Sequence, residues 1–199
     1  MLDNEEKSVL ILDESIKKFI IKKLYEKLNL YKYKYQIISH YNENIINNIK
    51  KNVFNIILNN FGHKYFAMFL TYQNIKYCFY IEKKKLKYNE HDLNNNYSDI
   101  LIYSVKHCVL PTYYNFSLFD GSIIINKYNK KIFIINDFYY LCNKSYIEIP
   151  IKKKLELLKL DLLSNYKYNS EFECCSIRVN DLYHKSELKR IISTTIPSC

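Results

Sequence analysis

A chain of 199 residues with a formal net charge of +10 is long enough for one domain, or for one domain with an appended helical arm. This basic balance favours polyanionic partners such as nucleic acid, because lysines release condensed counterions and steer phosphate groups. The longest apolar runs fall well short of the roughly 20 residues that cross a bilayer, and acidic residues open the chain, so we expect neither a membrane helix nor a secretory signal. The abundant Lys, Asn, Ile and Tyr share AT-rich codons, so part of the lysine excess indicates a viral or parasite genome of that bias.

The six cysteines predict neither a disulfide framework nor a zinc site, since none forms a C-x-x-C pair and Cys174 adjoins Cys175. The other four lie within or beside apolar runs, and we expect them to be buried as small hydrophobic residues. These four are Cys78, Cys108, Cys142 and Cys199. The pattern indicates a reducing, intracellular compartment, either cytoplasm or nucleus.

The first part of the chain, residues 4–60, is predicted to be mostly helical. A short strand over residues 9–12 precedes a helix that Asp13 or Ser15 caps, and the apolar residues that follow recur at helical spacing with lysines opposite them. A second helix is predicted over residues 43–58 from the same periodicity. Such basic amphipathic helices suit a membrane surface or a partner, although packing on their own domain is the commoner arrangement.

The pattern changes to strands from residue 64. Two aromatic-rich runs, residues 65–72 and 76–82, are joined by Gln73-Asn74, which predicts a β-hairpin. A polar, Asn-rich loop over residues 87–98 follows, and then a strand over residues 100–107.

A second hairpin is predicted from residues 116–126 and 131–141, and a helix over residues 151–163 follows Pro150. Residues 172–179 are predicted as a strand, and a final helix is predicted from Asp181 or Ser186 to Ile192. These elements define an α+β class with a mainly antiparallel sheet. We place the domain boundary between a helical region, residues 1–57, and an α+β domain, residues 58–199.

Several enzyme classes lack their motifs in this sequence. There is no Gly-rich phosphate loop, no G-x-S-x-G and no H-E-x-x-H. His107 and Cys108 are neighbours on a predicted strand, where successive side chains point to opposite faces, so a Cys/His protease is disfavoured.

The second hairpin carries the most specific pattern in the chain. Its residues 119–122, Phe-Asp-Gly-Ser, and residues 133–137, Phe-Ile-Ile-Asn-Asp, resemble the "LDGE" and "FLIFD" segments of the covalent nucleotidyltransferases, the superfamily of DNA ligases, RNA ligases and mRNA capping guanylyltransferases. Residues 144–154 resemble the run into a helix that follows in the family. The resemblance covers about residues 58–196 and implies an antiparallel sheet of the nucleotidyltransferase (ATP-grasp-like ligase/capping) type, with an N-terminal helical arm.

The family's Lys-x-Asp-Gly-x-Arg motif carries the lysine that attacks the nucleotide α-phosphate. The corresponding segment here is residues 59–64, in which Gly62 matches and Lys64 takes the place of the arginine. Asn59 stands in place of the nucleophilic lysine and Phe61 in place of the aspartate. Because an amide forms no stable phosphoramidate, the resemblance implies a protein that has lost covalent catalysis.

The resemblance also implies a site for a nucleotide, an RNA 5′ end or a cap. Its candidate residues are His63, Lys64, Tyr80, Glu82, Lys83, Asp120 and Asp137. No catalytic residue and no metal ligand is expected, and no cofactor apart from Mg²⁺ if a nucleotide is bound. Snurportin, a non-enzymatic relative in this superfamily, stacks its cap on tryptophan; this chain has none, so the stacking platform would be a tyrosine such as Tyr80, Tyr113 or Tyr114.

The sequence therefore predicts a degenerate nucleotidyltransferase-fold protein that binds a nucleotide or RNA, as a subunit of an RNA-processing or transcription complex. Two alternatives stay open. One is an active guanylyltransferase or ligase domain that is a fragment or that another chain completes, since no counterpart of the family's "DGLIF" and "K-x-K" elements follows. The other is a purely structural subunit, for which an exposed apolar patch would be the sign.

Overall fold

The structure is a computed structural model that describes residues 7–33, 55–57, 62–94 and 96–187. Contacts divide the chain into two compact units: Met1–Lys34 with Asn60–Val179, and Tyr35–Asn59 with Asn180–Cys199. The first helix therefore groups with the sheet, which differs from the boundary predicted between residues 57 and 58. Among the described residues, no helix is both long and apolar enough to cross a membrane.

The described elements are ten strands and two α-helices, joined by turns and short 3-10 segments. In chain order they are β1 (Ser8–Leu10), α1 (Glu14–Lys27), β2 (Asn55–Ile57), β3 (His63–Tyr72), β4 (Ile75–Glu82), β5 (Ile102–Val105), β6 (Ser117–Ile125), β7 (Lys131–Leu141), β8 (Lys144–Ser145), α2 (Ile151–Asn165), β9 (Ser176–Val179) and β10 (Leu182–His184).

An eight-stranded, mainly antiparallel sheet forms the first unit, in the order β1-β5-β4-β3-β6-β7-β8, and β9 pairs in parallel with β7. This arrangement confirms the predicted α+β class. Both predicted hairpins are present, as β3–β4 and β6–β7. Gln73 and Asn74 connect the first hairpin with φ of 49° and 63°, the two positive values that a type I′ turn requires.

The sheet is buried on both faces. Along β3, Tyr65 and Phe69 belong to one hydrophobic cluster while Phe66 and Leu70 belong to the other, as strand alternation requires. Helix α2 contributes Leu158 to the first cluster. Helix α1 covers the second cluster with Ile20, Ile21 and Leu24, and Leu28, directly after the helix, joins them. Because both faces of the sheet are buried, its central strands consist of nearly continuous runs of apolar residues.

Capping and close packing account for two features of the sequence. Asp13 is the N-cap of α1, since its Oδ1 accepts hydrogen bonds from the backbone N–H of Ser15 at 2.7 Å and of Ile16 at 3.1 Å. Gly121 is needed for space: a Cβ there would lie 2.5 Å from the Ile134 carbonyl oxygen and 2.6 Å from the Phe133 ring.

Two predicted helices differ from the structure. Residues 55–57, inside the helix predicted over residues 43–58, form β2, and the remainder of that prediction lies outside the described residues. Residues 182–184, inside the final helix predicted from Asp181, form β10, and a 3-10 turn follows at Lys185–Glu187. The remainder of that prediction, residues 188–192, lies outside the described residues. β2 and β10 pair antiparallel within the second unit, so a cross-strand contact overrides the local helical pattern.

The cysteine prediction is confirmed in part. Of the four cysteines predicted to be buried, Cys78 is buried and Cys199 lies outside the described residues. Cys174 and Cys175 are buried as well, and the five described cysteines are free thiols. Cys108 and Cys142 are exposed, contrary to expectation, because one lies in the loop after β5 and the other in the β7–β8 turn with φ of 50°.

Candidate nucleic-acid interface

Antiparallel pairing brings most of the predicted site residues to one region of the sheet. Lys64 pairs with Ser122 near the start of β3, and the next residue of β3 pairs with Glu82 at the end of β4. Asp120 of β6 pairs with Asp137 of β7. The residues matched to the family's motifs thus lie on or directly after four adjacent strands, β4, β3, β6 and β7. The sequence pattern alone does not determine this arrangement.

Lys83 and Asp120 form a nearly buried ion pair. The Lys83 Nζ lies 2.9 Å and 2.7 Å from the two carboxylate oxygens of Asp120, and it stands 4.5 Å from the centre of the Phe66 ring. Tyr139 donates a further hydrogen bond to Asp120 at 3.3 Å. Asp120 is only 4% exposed, so the lysine compensates the cost of burying its charge.

Asp137 is held by Lys154 of α2 at 2.6 Å. The Lys154 Nζ also donates to the Phe138 carbonyl oxygen at 2.9 Å, at a point where β7 lies between its pairings with β8 and β9. Burial raises the pKa of Asp137, and the Lys154 ion pair opposes that rise. This acid therefore supports the sheet edge and the docking of α2.

The two carboxylates do not fit a Mg²⁺ site in this arrangement. Each accepts from a lysine, and a lysine brings positive charge to the place where a cation would have to sit. Within the described part of the chain, no group of three His, Cys, Asp or Glu side chains is placed to hold a metal ion.

The rim of the region is cationic. His63 is half exposed, and its Nδ1 lies 3.7 Å from the Glu82 carboxylate, which is largely buried. Lys84 and Lys85 follow Lys83 and are exposed. The predicted site residues other than Tyr80 and Asp137 thus gather around the start of β3 and the end of β4.

A row of four paired residues crosses the sheet beside the Lys83–Asp120 pair. Lys64, Ser122, Ile134 and Arg178 are consecutive partners on β3, β6, β7 and β9, so their side chains share one face. Three strand spacings place the backbones of Lys64 and Arg178 about 14 Å apart. Both cations are exposed. We call these four residues the cation row.

The cation row and Lys83 are on the same face of the sheet. Lys64 and Phe66 are two residues apart on β3 and share a face by alternation, and the Lys83 ammonium lies over the Phe66 ring. Arg178 was not among the predicted residues, because its place follows from the parallel register of β7 and β9 over 44 residues of sequence, and no local motif signals it.

Tyr80 is not part of this surface, which corrects the prediction. Its side chain is fully buried, and its hydroxyl lies 2.7 Å from the His107 Nε2. Tyr113 and Tyr114 are buried as well, at 2% and 9% exposure. Alternation along β4 points Tyr80 into the cluster beneath α2, so none of the three tyrosines offers a ring face to a base.

Instead, Tyr80 belongs to a buried polar network that the sequence pattern does not reveal. The His107 Nδ1 lies 2.8 Å from Glu173, and both side chains are fully buried. Glu173 also accepts from the Tyr166 hydroxyl at 2.7 Å and from the Asn169 backbone N–H at 2.9 Å. A neutral imidazole with its proton on Nδ1 satisfies both of its neighbours, donating to Glu173 and accepting from Tyr80.

The network resembles a catalytic relay in its order of groups, but its acid and imidazole side chains are fully buried. Burial alone would raise the pKa of Glu173, yet hydrogen bonds from His107, Asn169 and Tyr166 hold that pKa below its ordinary value. The network therefore holds residues 166–175 against β4 and the end of β5.

Comparison of the chain with protein-family models and with curated protein sequences finds no match.

Proposed function

We propose that this protein binds RNA or a nucleotide without forming a covalent bond to it, and that the cation row holds the phosphates. The observation that carries the proposal is the placement of exposed Lys64 and Arg178 on one face of the sheet, beside Lys83. Cations on a β-sheet face bind phosphates through charge and counterion release. The net charge of +10 supports a polyanionic partner.

The proposal that no covalent intermediate forms is supported by the residues of the motif and by the carboxylates near it. The described part of the motif, residues 62–64, contains one amine, that of Lys64, at the position of the family's arginine. The substitutions Asn59 and Phe61 lie outside the described residues. The carboxylates of Asp120 and Asp137 are engaged by lysines, and the ammonium group beside each of these carboxylates opposes the binding of a metal ion there. We propose that the protein has a catalytically degenerate nucleotidyltransferase fold. We propose further that it acts within an RNA-processing or transcription complex.

Fluorescence anisotropy with a labelled single-stranded RNA tests the proposal. Lys64→Ala/Arg178→Ala should weaken binding by about tenfold, because two charge-assisted phosphate contacts are lost. The matched control is Lys152→Ala/Lys153→Ala, which removes the same charge from exposed positions on α2. Equal losses in the two variants would show that binding is delocalised charge attraction and would contradict a site at the cation row.

A second assay addresses catalysis. Incubation with radiolabelled GTP or ATP and Mg²⁺, followed by a denaturing gel, should leave the protein unlabelled. A label that survives denaturation and is released by acid would demonstrate a lysyl-nucleotide bond and restore the guanylyltransferase or ligase interpretation.

One observation favours a structural subunit as a second candidate function. Apolar side chains are exposed along β1, α1 and the β3–β4 hairpin: Val9, Leu10, Leu12, Ile16, Phe19, Tyr72 and Ile75. Surfaces of this kind mark contacts with other proteins. A wild-type protein that binds neither RNA nor nucleotide in the assays above would leave this function as the better account.

A further inference from the structure

The tip of the β6–β7 hairpin has an unusual composition. Residues 121–136 contain no acidic residue, and three lysines surround the turn: Lys127, Lys130 and Lys131. Between the first two lysines stands Tyr128. We call residues 126–130 the hairpin tip.

The hairpin tip is a defined turn. The side-chain oxygen of Asn126 accepts from the backbone N–H groups of Tyr128 and Lys130, each at 2.9 Å. The backbone of Asn126 donates to the Lys130 carbonyl oxygen at 3.0 Å, and Asn129 takes a positive φ of 57°. These bonds fix the backbone that carries Tyr128, so an interacting ring would lose little conformational freedom.

Tyr128 is the aromatic side chain that solvent reaches best. Its exposure is 69%, the highest among the described Phe and Tyr residues. The Lys127 Nζ lies 5.1 Å from the centre of its ring. Tyr80 and Tyr113, by contrast, are covered by the core.

The hairpin tip extends the same two strands that carry the middle of the cation row. Ser122 and Ile134 pair in that row, and the strands continue through the Ile124–Ile132 and Ile125–Lys131 pairs to the turn. A nucleic-acid strand whose phosphates contact Lys64 and Arg178 therefore has an aromatic ring within a few nucleotides of it.

We infer that Tyr128 is a base-stacking residue and that the ligand is a single-stranded nucleic acid whose unpaired base stacks on its ring, with Lys127 and Lys130 contacting the flanking phosphates. This inference rests on the proposed function. Stacking on an exposed ring needs a base with a free face, which a single strand supplies and an intact duplex does not. Tyr80, Tyr113 and Tyr114 are buried, so this inference assigns the predicted tyrosine stacking platform to the hairpin tip instead.

The chain contains no tryptophan, which makes Tyr128→Trp a direct reporter. Its single indole should keep or increase the affinity for a single-stranded RNA 12-mer, and its fluorescence should be quenched when a base stacks on it. Heparin, which has charge but no bases, should bind without this quenching, and so should a blunt RNA duplex. An unchanged spectrum with the saturating single strand would overturn the inference.

Two further variants separate stacking from charge. Tyr128→Ala should weaken single-strand binding by about tenfold, while Tyr128→Phe, which keeps the ring, should bind like the wild type. Tyr31→Ala is the matched control, since Tyr31 is 62% exposed and, like Tyr128, has a lysine as a direct sequence neighbour. Circular dichroism of each variant should be unchanged, because Tyr128 is at an exposed turn.

Failure of the inference and failure of the proposed function give different results. If Tyr128→Ala binds like the wild type while Lys64→Ala/Arg178→Ala loses affinity, the cation row stands and the stacking role is wrong. If the wild-type protein binds no RNA at all, the proposed function is wrong and the stacking role falls with it.

Discussion

At the scale of single residues, the buried charges of this protein are held by specific partners. Asp120 has Lys83, Asp137 has Lys154, and Glu173 has three donors including His107. The sequence motif singled out Asp120 and Asp137, but it predicted that they contact a bound ligand and not a lysine of the same chain. Their lysine partners lie 37 and 17 residues away, and no local pattern predicts those contacts.

Glu173→Gln should destabilise the protein at pH 7 by about 3 kcal/mol, since it leaves buried donors without a charged acceptor. The folded-state pKa of Glu173 is lowered, so its contribution is present above the unfolded value of about 4.3 and is lost as pH falls through the folded pKa. Urea unfolding of the wild type and the variant between pH 3 and 7 should show their difference shrinking below about pH 4. Glu171→Gln, at an exposed position, is the control, and a difference that stays constant with pH would exclude this role.

At the scale of elements, the sequence predicts those caps, turns and strands that depend on contacts between residues close together in the chain. The Asp13 cap, the Gln73-Asn74 turn and the β6–β7 strand pair are all visible in the sequence and present in the structure. β2 and β10 are not, because each has three residues and pairs with a partner more than a hundred residues away. Isolated short strands gain their stability from that pairing, so periodicity within them carries little information.

Gly121→Ala tests the packing of the β6–β7 hairpin. The added Cβ would stand 2.5 Å from a backbone carbonyl of β7, and the strands can relieve that contact only by separating. We expect a loss of about 2 kcal/mol or more, measured by urea unfolding. Ser145→Ala, at an exposed strand position, should change stability by less than about 0.5 kcal/mol. A Gly121→Ala variant as stable as the wild type would show that the hairpin is looser than its contacts indicate.

At the scale of the whole molecule, the charge balance and the strand order act together. The net charge of +10 alone points only to a polyanionic partner. The strand order defines where the proposed function places the phosphates of this partner, because it aligns Lys64 of β3 with Arg178 of β9 across two intervening strands. Composition alone predicts a polyanionic ligand, whereas the proposed location of its site depends on a register that only the folded sheet defines.

The salt dependence of RNA binding tests the central claim most directly. For single strands, the slope of log K against log salt concentration is about −0.7 per phosphate neutralised. Lys64→Ala/Arg178→Ala should therefore reduce the steepness of that slope by about 1.4 relative to the wild type. Lys152→Ala/Lys153→Ala should leave the slope unchanged. Equal slopes for the wild type and the cation-row variant would contradict the claim that phosphates bind at Lys64 and Arg178.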